Sequence, residues 1–481
     1  MTIKRPLLFC FTLTSLLTPL VTAGGTDAHA QMCDTLREVI TVIRAPTYGF
    51  PTVWDADYGM KGQAVQFGGS VLLAEGTIMS QALRMDDRKP EEKKVETDAP
   101  KGQAKEKVKP AEEMGLVELN RRGRVFTEAF YPVKNNEYPA GLIKLGERFI
   151  GISNMKVGKK ADRHVRVAWY DRKGVYKRDL TIQDASYDYE AEMIVPAVDG
   201  NGFVVVIHAV NRSDRKDQFG VLARYTADGA QIWKRAYRPG VNNMLAGLSA
   251  TEDKGYLASG KIIMDDGRMA GWVLKLAADG TILWQRTYPR GKYSVLNAGA
   301  PSSHKNPDGS SYYAVAGAAE PIDGHPYAAW IMEIDHFGEP VWQRYYRRTD
   351  YSFDGQAVNT LPDGRIQVVV NAKAEGSVDP LKQDHVRIFS LSPRGVMLDD
   401  QSYVNGLRAQ AVDSEMSSRY EMVVTSNILM QPKITEEMFG PEKPLPEGTV
   451  PEIEMPFPEG WVMITPSPDS YDDPCIRKPR R

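Results

Sequence analysis

One motif comes back six times along the chain: a short apolar strand, a turn at a glycine and an aromatic-rich strand. The turn glycines are 51, 55, 51, 58 and 57 residues apart, and they are Gly123, Gly174, Gly229, Gly280, Gly338 and Gly395. A fixed period of this size is typical of propellers and solenoids, in which each unit buries its apolar face only against its neighbours. The repeat therefore constrains the architecture strongly and the function weakly, since such folds carry many functions.

The fourth repeat shows how each unit divides into four strands. The predicted strands run from Leu245 to Thr251, Gly255 to Ile263, Gly271 to Ala277 and Thr281 to Tyr288. Alternation of apolar and polar residues over such short runs is typical of strands with one buried face. Asp279 and Gly280 predict a tight hairpin turn, because glycine reaches a positive φ without a Cβ clash.

Tryptophans mark the same point in three repeats. Trp233, Trp284 and Trp342 each lie four residues after their turn glycine. A large ring at one repeated position is expected to pack between neighbouring units. We interpret these tryptophans as core residues rather than as a surface on which ligands stack.

Strand counting predicts an all-β fold, a seven-bladed β-propeller of four-stranded antiparallel blades. The last blade has strands near 408–412, 420–428 and 460–465 but no outer strand. The strand-like segment 36–44 is expected to supply it. The N- and C-terminal strands would then close the last blade together and leave no open sheet edge. A ring of six blades with loose ends is the alternative.

The first 30 residues predict a secretory signal peptide. A charged start precedes a short apolar stretch from Leu7 to Leu20, and Ala28-His29-Ala30 is a small-residue cleavage site. Cleavage after Ala23 is the alternative. The apolar stretch is shorter than the ~20 residues that a membrane span needs, and no later segment qualifies. We expect the mature chain, 31–481, to be one domain that is periplasmic or secreted.

Two cysteines remain after the predicted cleavage, one near each end of the mature chain. They are Cys33 and Cys475, because Cys10 leaves with the signal peptide. In an exported protein two such thiols are expected to pair, and a closed ring brings its ends together. The predicted disulfide would lock the closure of the last blade. Two unrelated free thiols are the alternative.

Two segments interrupt the repeat. Residues 86–113 are charged and almost free of large apolar side chains, which predicts disorder, and residues 432–459 form a loop rich in proline and glutamate. Both lie between the second and third strands of their blades, blade one and blade seven. Since these blades are neighbours in a closed ring, both insertions should project from one sector of one face. They are either tolerated surface insertions or a platform for a partner.

No motif for catalysis, a metal or a cofactor stands out in the sequence. Common hydrolase, zinc-protease, phosphate-loop and redox motifs do not occur. No close pair at metal-ligand spacing is formed by His164, His208, His304, His325, His336 and His385. The formal net charge of −2 is near neutral for this length and shows no basic cluster that would predict nucleic-acid binding.

Polar and aromatic residues collect just before the predicted inner strands. A binding site at the mouth of the central channel is predicted from Tyr138, Tyr187, Asp188, Glu190, Asn243, Asn297, Tyr351 and Asp354. Acids and tyrosines that converge there would suit a cation, a sugar or the end of a peptide. Solvated turn residues are the alternative, because Asp and Asn also stabilise turns. Asp188 and Glu190 could imitate a glycosidase pair, but both lie at the start of one strand.

The Gly-x-x-x-Trp turns at Gly229–Trp233, Gly280–Trp284 and Gly338–Trp342 resemble the tryptophan-docking repeats of bacterial pyrroloquinoline-quinone-like propellers. They are also similar to repeats in secreted or periplasmic bacterial propellers. The quinone enzymes of this group carry a vicinal cysteine pair and metal ligands, and this chain has neither, so no quinone cofactor is expected. The resemblance implies a soluble envelope or secreted propeller used for protein contacts.

The sequence thus favours an exported, non-catalytic scaffold that binds a protein partner through the face carrying both insertions. The alternative is a binder or hydrolase of a carbohydrate or small ligand that uses the channel mouth. The two functions place the important residues in different parts of the molecule, which makes them separable by experiment.

Overall fold

In the computed structural model, repeated four-stranded sheets account for almost all of the residues that the structure describes. The structure describes residues 39–46, 52–59, 63–86, 111–134, 136–158, 162–240, 242–306, 309–320, 324–375, 383–430 and 457–468. All of them belong to one structural unit, residues 38–481. Within these ranges the regular elements are strands joined by turns, and no α-helix is present.

Twenty-nine strands form seven blades, and two of the strands come from the N-terminal segment. The N-terminal strands are β1 (Val39–Val42) and β2 (Trp54–Tyr58). Blade one comprises β3 (Gln63–Leu72), β4 (Ile78–Asp86), β5 (Ala111–Leu119) and β6 (Val125–Val133). Blade two comprises β7 (Glu137–Leu145), β8 (Arg148–Val157), β9 (Asp162–Tyr170) and β10 (Tyr176–Ile182). Blade three comprises β11 (Tyr187–Pro196), β12 (Phe203–Asn211), β13 (Gln218–Tyr225) and β14 (Gln231–Tyr237).

The remaining blades follow the same order. Blade four comprises β15 (Asn243–Ala250), β16 (Tyr256–Ile263), β17 (Met269–Leu276) and β18 (Ile282–Pro289). Blade five comprises β19 (Ser294–Lys305), β20 (Ser311–Ala319), β21 (Ala328–Ile334) and β22 (Pro340–Arg347). Blade six comprises β23 (Tyr351–Thr360), β24 (Ile366–Ala374), β25 (His385–Leu391) and β26 (Met397–Tyr403). Blade seven begins with β27 (Arg408–Met416), β28 (Met422–Met430) and β29 (Phe457–Thr465).

The seven sheets form a ring, which makes the protein a seven-bladed β-propeller as the sequence predicts. Within each blade the four main strands run antiparallel, and each inner strand contacts the inner strands of the next blades, with β27 against β3 completing the circle. We call the face on which the inner strands begin the upper face. The second-to-third-strand connections lie on this face as well. The lower face carries the glycine turns. The four predicted strands of blade four agree with the observed ones within two residues.

The repeated turns join neighbouring blades through tryptophan. Gly280 has φ +79°, and a Cβ added there would lie 3.0 Å from the Trp233 ring of the preceding blade. A Cβ added at Gly338 would likewise lie 2.8 Å from the Trp284 ring of the preceding blade. The indole N–H of Trp284 also donates to the backbone carbonyl of His336, at 2.7 Å. The interpretation of these tryptophans as residues packed between blades is therefore confirmed.

The strand that closes blade seven differs from the predicted one. The sequence assigned this place to 36–44, but β2 pairs antiparallel with β29, with Trp54 opposite Ile464. Trp54 takes the role of the repeated tryptophans, since a Cβ on Gly123 of blade one would lie 2.9 Å from its ring. Tyr58 stacks on Phe67 with ring centroids 5.8 Å apart. The closing strand is thus held by its contacts with blade one.

The segment that was expected to close the ring extends blade five instead. Strand β1 pairs parallel with the outer strand β22, with Val39 opposite Arg344. The next residue after β1, Ile43, is 4% exposed and packs into the core between blades five and six. The guanidinium of Arg348 donates to the Ile43 carbonyl at 3.2 Å, and that of Arg387 donates to the Arg44 carbonyl at 3.3 Å. The N-terminal segment therefore covers the outer side of this junction.

We expect Trp54→Ala to lower the free energy of unfolding by about 2 kcal/mol. The change removes the ring that packs against the Gly123 turn where the ring of blades closes. Guanidinium unfolding of the variant checks this. The control is Val53→Ala, because this side chain is 48% exposed and its loss should change stability by less than about 0.5 kcal/mol. Equal losses in both variants would contradict a closing role for Trp54.

Several sequence predictions fall outside the described residues. These are the signal peptide, both cysteines of the predicted Cys33–Cys475 disulfide, residues 87–110 of the first insertion and residues 432–456 of the second. They stay predictions. Among the residues that the structure does describe, no helix has the length and apolar character to cross a bilayer.

Candidate functional site

A water-accessible cavity of about 480 Å³ lies in the central channel, where all seven inner strands meet. Each inner strand carries a β-bulge at the same point, so one residue is extra relative to its partner strand. A bulge turns the extra residue out of the ladder and re-aims its side chain. The seven extra residues all line the cavity: Gly68, Ala140, Glu192, Ala246, Asn297, Gln356 and Val412.

Asp354 of β23 is the best-defined acid of the cavity. Its carboxylate accepts hydrogen bonds from the Asn297 amide at 2.5 Å and from the Gln356 amide at 2.9 Å. Burial raises the pKa of Asp354 to about 6, although these two hydrogen bonds oppose the shift. The two amide donors are both bulge residues. The bulges of blades five and six therefore fix the position of this carboxylate.

Two further acids face the same cavity. Burial, helped by repulsion from Glu190, raises the pKa of Glu192 to about 7. Burial also raises the pKa of Asp413 to about 6, against a hydrogen bond from the Ser70 amide at 2.9 Å. Glu415, two residues further along β27, has a pKa raised in the same direction, but its side chain is exposed and water weakens the effect. The cavity is therefore acidic and becomes more negative as the pH rises through this range.

One lysine lies close enough to influence these acids. Lys261 of β16 lowers the pKa of both Glu192 and Asp354, as expected for a nearby ammonium group. Among the described residues, no ion pair within 4.0 Å joins Lys261 to either carboxylate. Three acids thus line the cavity, and the nearby Lys261 forms no ion pair with Glu192 or Asp354.

A second cavity, of about 390 Å³, adjoins the first on the upper side of blades five to seven. The two cavities share Asp354 and Gln356 in their linings. Tyr293 and Tyr327 form part of the wall of the second cavity, with ring centroids 4.5 Å apart. The aromatic pair and the buried carboxylate therefore both border the second cavity, which shares Asp354 and Gln356 with the first.

The structure brings only part of the predicted binding set together. Asn297 and Asp354 line the channel cavity, as described above. Asn243 is fully buried and accepts a hydrogen bond from the Gly220 amide at 3.0 Å, which ties blade four to blade three. Tyr351 is 2% exposed and packs edge-on against His385. Asn243 and Tyr351 are therefore placed as packing residues between blades.

The predicted residues of blade three belong to an arginine-rich network. Asp188 accepts hydrogen bonds from Arg212 at 2.9 Å and Arg215 at 2.7 Å. Burial favours a higher pKa for Asp188, but these partners outweigh it and hold the pKa below its usual value. Glu190 forms an ion pair with Arg163. The two carboxylates that could imitate a glycosidase pair are thus each neutralised by arginine.

The two remaining predicted residues are tyrosines outside the cavity lining. Tyr187 donates to Asp217 at 3.1 Å and accepts from Arg238 at 3.0 Å, so it belongs to the same polar network. Tyr138 is 43% exposed, and the Lys156 ammonium lies 5.6 Å from the centre of its ring. Neither contributes to the acidic cavity.

Sequence reasoning missed several residues that border the cavities, namely Glu192, Gln356, Asp413, Tyr293 and Tyr327. Glu192, Tyr293 and Gln356 lie within four residues of the predicted Glu190, Asn297 and Asp354, yet nothing in the local pattern separates them from their neighbours. The described residues hold no group of three or more His, Cys, Asp or Glu side chains placed to bind a metal ion.

Comparison with known proteins assigns no family to the chain. No protein-family model and no curated protein sequence matches the chain. Among solved structures, the β-propeller domain of the trilobed protease from Pyrococcus furiosus is 11% identical, with a TM-score of 0.36 over 61% of this chain and 79% of its own. A protein of unknown function from Dyadobacter fermentans is 12% identical, with a TM-score of 0.38 over 87% and 99%. Acylaminoacyl peptidase from Pyrococcus horikoshii is 10% identical, with a TM-score of 0.35 over 60% and 43%.

Proposed function

We propose that this protein is a non-catalytic β-propeller of the bacterial envelope or extracellular space that binds a protein partner on its upper face. The observation that carries the proposal is the position of the two long insertions. Both connect the second and third strands of their blades, and blades one and seven are neighbours where the ring closes. Long connections that leave one sector of a rigid scaffold are a common way to build a binding surface.

The register of the flanking strands supports this placement. Asp86 pairs with Ala111 at the end of blade one's central hairpin, and Met430 pairs with Phe457 in blade seven. Each insertion therefore leaves and returns at neighbouring positions, and the sheets beneath do not depend on its length. Both insertions can be replaced without breaking the strand ladder.

We expect the partner to be lost when residues 87–110 and 431–456 are each replaced by Asn-Gly. A two-residue turn of this kind closes an antiparallel pair at the observed register. The tagged wild-type and replaced proteins are purified from the native envelope or culture fluid, and their partners are quantified by mass spectrometry. One dominant partner should be recovered with the wild type and fall at least about tenfold in the variant.

A shortened connection elsewhere on the upper face provides the control. Residues 376–382 lie in the connection between the second and third strands of blade six. Their replacement by Asn-Gly therefore tests whether shortening any upper-face connection is enough to lose the partner. Partner recovery should survive this change. A dominant partner that binds the double replacement as well as the wild type would overturn the proposal, as would the absence of any partner in both samples.

A second candidate function is favoured by the channel cavity itself. Carboxylates held at the bulges, amide side chains and an open volume of about 480 Å³ suit a small polar ligand, such as a sugar or an amine. A binder or hydrolase of this kind would keep its activity when both insertions are shortened, and would lose it when Asp354 is changed. A ligand screen of the double replacement therefore separates the two functions.

A further inference from the structure

The two adjoining cavities, which we call the chamber, combine an acid and an aromatic wall on the upper side of blades five and six. Asp354 and Gln356 belong to both cavities, and Tyr293 and Tyr327 border the smaller one. The negative charge of Asp354 affects Tyr293 strongly enough to contribute to the raised pKa of that tyrosine, after burial. The carboxylate and the aromatic pair therefore lie within interaction range of each other.

The aromatic pair is anchored to the strand that carries Asp354. The carbonyl of Tyr327 accepts a hydrogen bond from the Phe353 amide at 2.9 Å, and the Tyr327 amide donates to the Ser352 hydroxyl at 3.2 Å. The carbonyl of Tyr293 accepts from the Glu320 amide at 2.9 Å. These contacts hold the backbone of Tyr327 against the strand that carries Asp354 and fix the backbone position of Tyr293. Such a site loses little freedom when it binds.

The charges around the chamber favour a cationic ligand. Asp354 has two amide donors, and its nearby cation Lys261 is not within ion-pair distance. Two cations border the smaller cavity: Arg408 is paired with Asp384 at 2.6 Å, and Lys373 is exposed to solvent. A carboxylate in a poorly solvated place without a close cation gains most from a ligand that supplies one. Tyrosine faces add cation–π attraction for the same kind of group.

We propose that the chamber binds one organic cation, an alkylammonium or guanidinium group, against the Asp354 carboxylate with Tyr293 and Tyr327 as its aromatic wall. This inference rests on the proposed function, because a protein docked on the upper face would present such a group as a lysine or arginine side chain. A free amine has the same chemistry and is the other source.

Blocked amino acids serve as probes for the chamber. Binding of Nα-acetyl-lysine methylamide and Nα-acetyl-arginine methylamide to the full chain is measured by titration calorimetry, with the norleucine analogue as the neutral match. At least one cationic probe should bind at least about tenfold more tightly than the norleucine analogue, as one charge-assisted contact provides. Asp354→Asn should abolish this preference, and Tyr327→Ala should weaken binding several-fold. Tyr420→Ala is the matched control, because Tyr420 is a similarly exposed tyrosine on a lower-face turn.

Thermal melts show whether each variant is folded, so that lost binding can be told apart from lost structure. If Asp354→Asn folds poorly, Tyr327→Ala carries the test alone, since its ring is 39% exposed and its loss leaves the core intact. No binding of either cationic probe at about 10 mM would overturn the proposal. Equal binding of the norleucine analogue, or unchanged binding by Asp354→Asn, would overturn it as well.

A further arm separates the two sources of the cation. Butylammonium represents a free amine, and a pentapeptide with one central lysine represents a protein segment. Tighter binding of the peptide assigns the site to a partner's side chain, and tighter binding of butylammonium assigns it to a small molecule. A partner that still binds the upper face when all cationic probes fail would refute this inference alone and leave the proposed docking function standing.

Discussion

Replacing Asp400 by alanine is expected to lower the free energy of unfolding by about 3–5 kcal/mol, the cost of leaving a buried charge without its partner. Asp400 and Arg387 are 9% and 1% exposed, and they form two hydrogen bonds of 2.9 Å and 2.6 Å. The guanidinium also lies over the rings of Phe353 and Phe389, at 5.5 Å and 6.0 Å. Without Asp400, the charge of Arg387 remains in this apolar layer beneath the N-terminal segment.

The Asp400–Arg387 ion pair itself is expected to add little net stability, and a double variant that removes both charges tests this. Burial raises the pKa of Asp400 even though Arg387 opposes the shift, so ionising this carboxyl is less favourable in the folded protein than in the unfolded chain. The double change Arg387→Met with Asp400→Leu should therefore recover most of the stability lost in Asp400→Ala. Guanidinium unfolding of all three proteins tests this.

An exposed ion pair supplies the control for Asp400→Ala. Arg148 and Asp228 are 59% and 79% exposed and lie 3.0 Å apart. Asp228→Ala should cost less than about 1 kcal/mol, because solvent screens such a pair. A loss in Asp400→Ala no larger than in Asp228→Ala would show that the Arg387 charge finds other compensation.

The fold could be predicted from sequence because its determinants are local and repeated. All six turn glycines have a positive φ, and Trp233, Trp284 and Trp342 each contact the glycine turn of the next blade. One interpreted repeat therefore describes the turn of six blades and the tryptophan contact of three. The closing strand was missed for a local reason. Trp54, Ala56 and Tyr58 alternate with Asp55 and Asp57, and the two acids make this strand resemble a loop more than the apolar segment 36–44 does.

The binding site was harder to predict because every inner strand is bulged. At a bulge the alternation of inward- and outward-facing residues shifts by one position. The apolar–polar alternation of an inner strand is therefore regular only in the part that follows its bulge residue, such as Ala140 or Gln356. The half-strands before the bulge were therefore interpreted as loops. Strand β23 in fact begins at Tyr351, which buries this residue and turns Asp354 to the channel. No local pattern reveals which half-strand residues face inward.

We expect the stability of the protein to depend on pH through Asp413, a channel acid at the junction of blades seven and one. Its pKa is about 6 in the folded protein, against about 3.9 in an unfolded chain. The folded state therefore holds the proton more tightly, and stability falls as the pH rises from about 4 through about 6. A shift of two pKa units corresponds to about 3 kcal/mol, and water in the channel reduces this to about 1–3 kcal/mol.

The variant Asp413→Asn isolates this contribution. Asparagine keeps an oxygen acceptor for the Ser70 amide, which donates to Asp413 at 2.9 Å, but it cannot ionise. The stability of the variant relative to the wild type should therefore rise by about 1–2 kcal/mol between pH 4.5 and pH 8. Chemical unfolding of both proteins at several pH values measures the difference, rather than either free energy alone.

Other titrating groups act in both proteins and cancel in the difference. Burial lowers the pKa of His208 and lowers that of His385 to about 4, so these histidines favour folding as the pH rises. Glu415 faces Asp413, and its raised pKa falls in the variant because one negative neighbour is gone, which acts in the same direction as the main effect. Asp266→Asn is the control, since hydrogen bonds to Arg268 keep the pKa of Asp266 low and this group stays ionised above pH 5. The stability difference between Asp413→Asn and the wild type could be independent of pH, or could change with pH no more than the difference for Asp266→Asn. Either result would show that water solvates the Asp413 carboxylate fully in the channel.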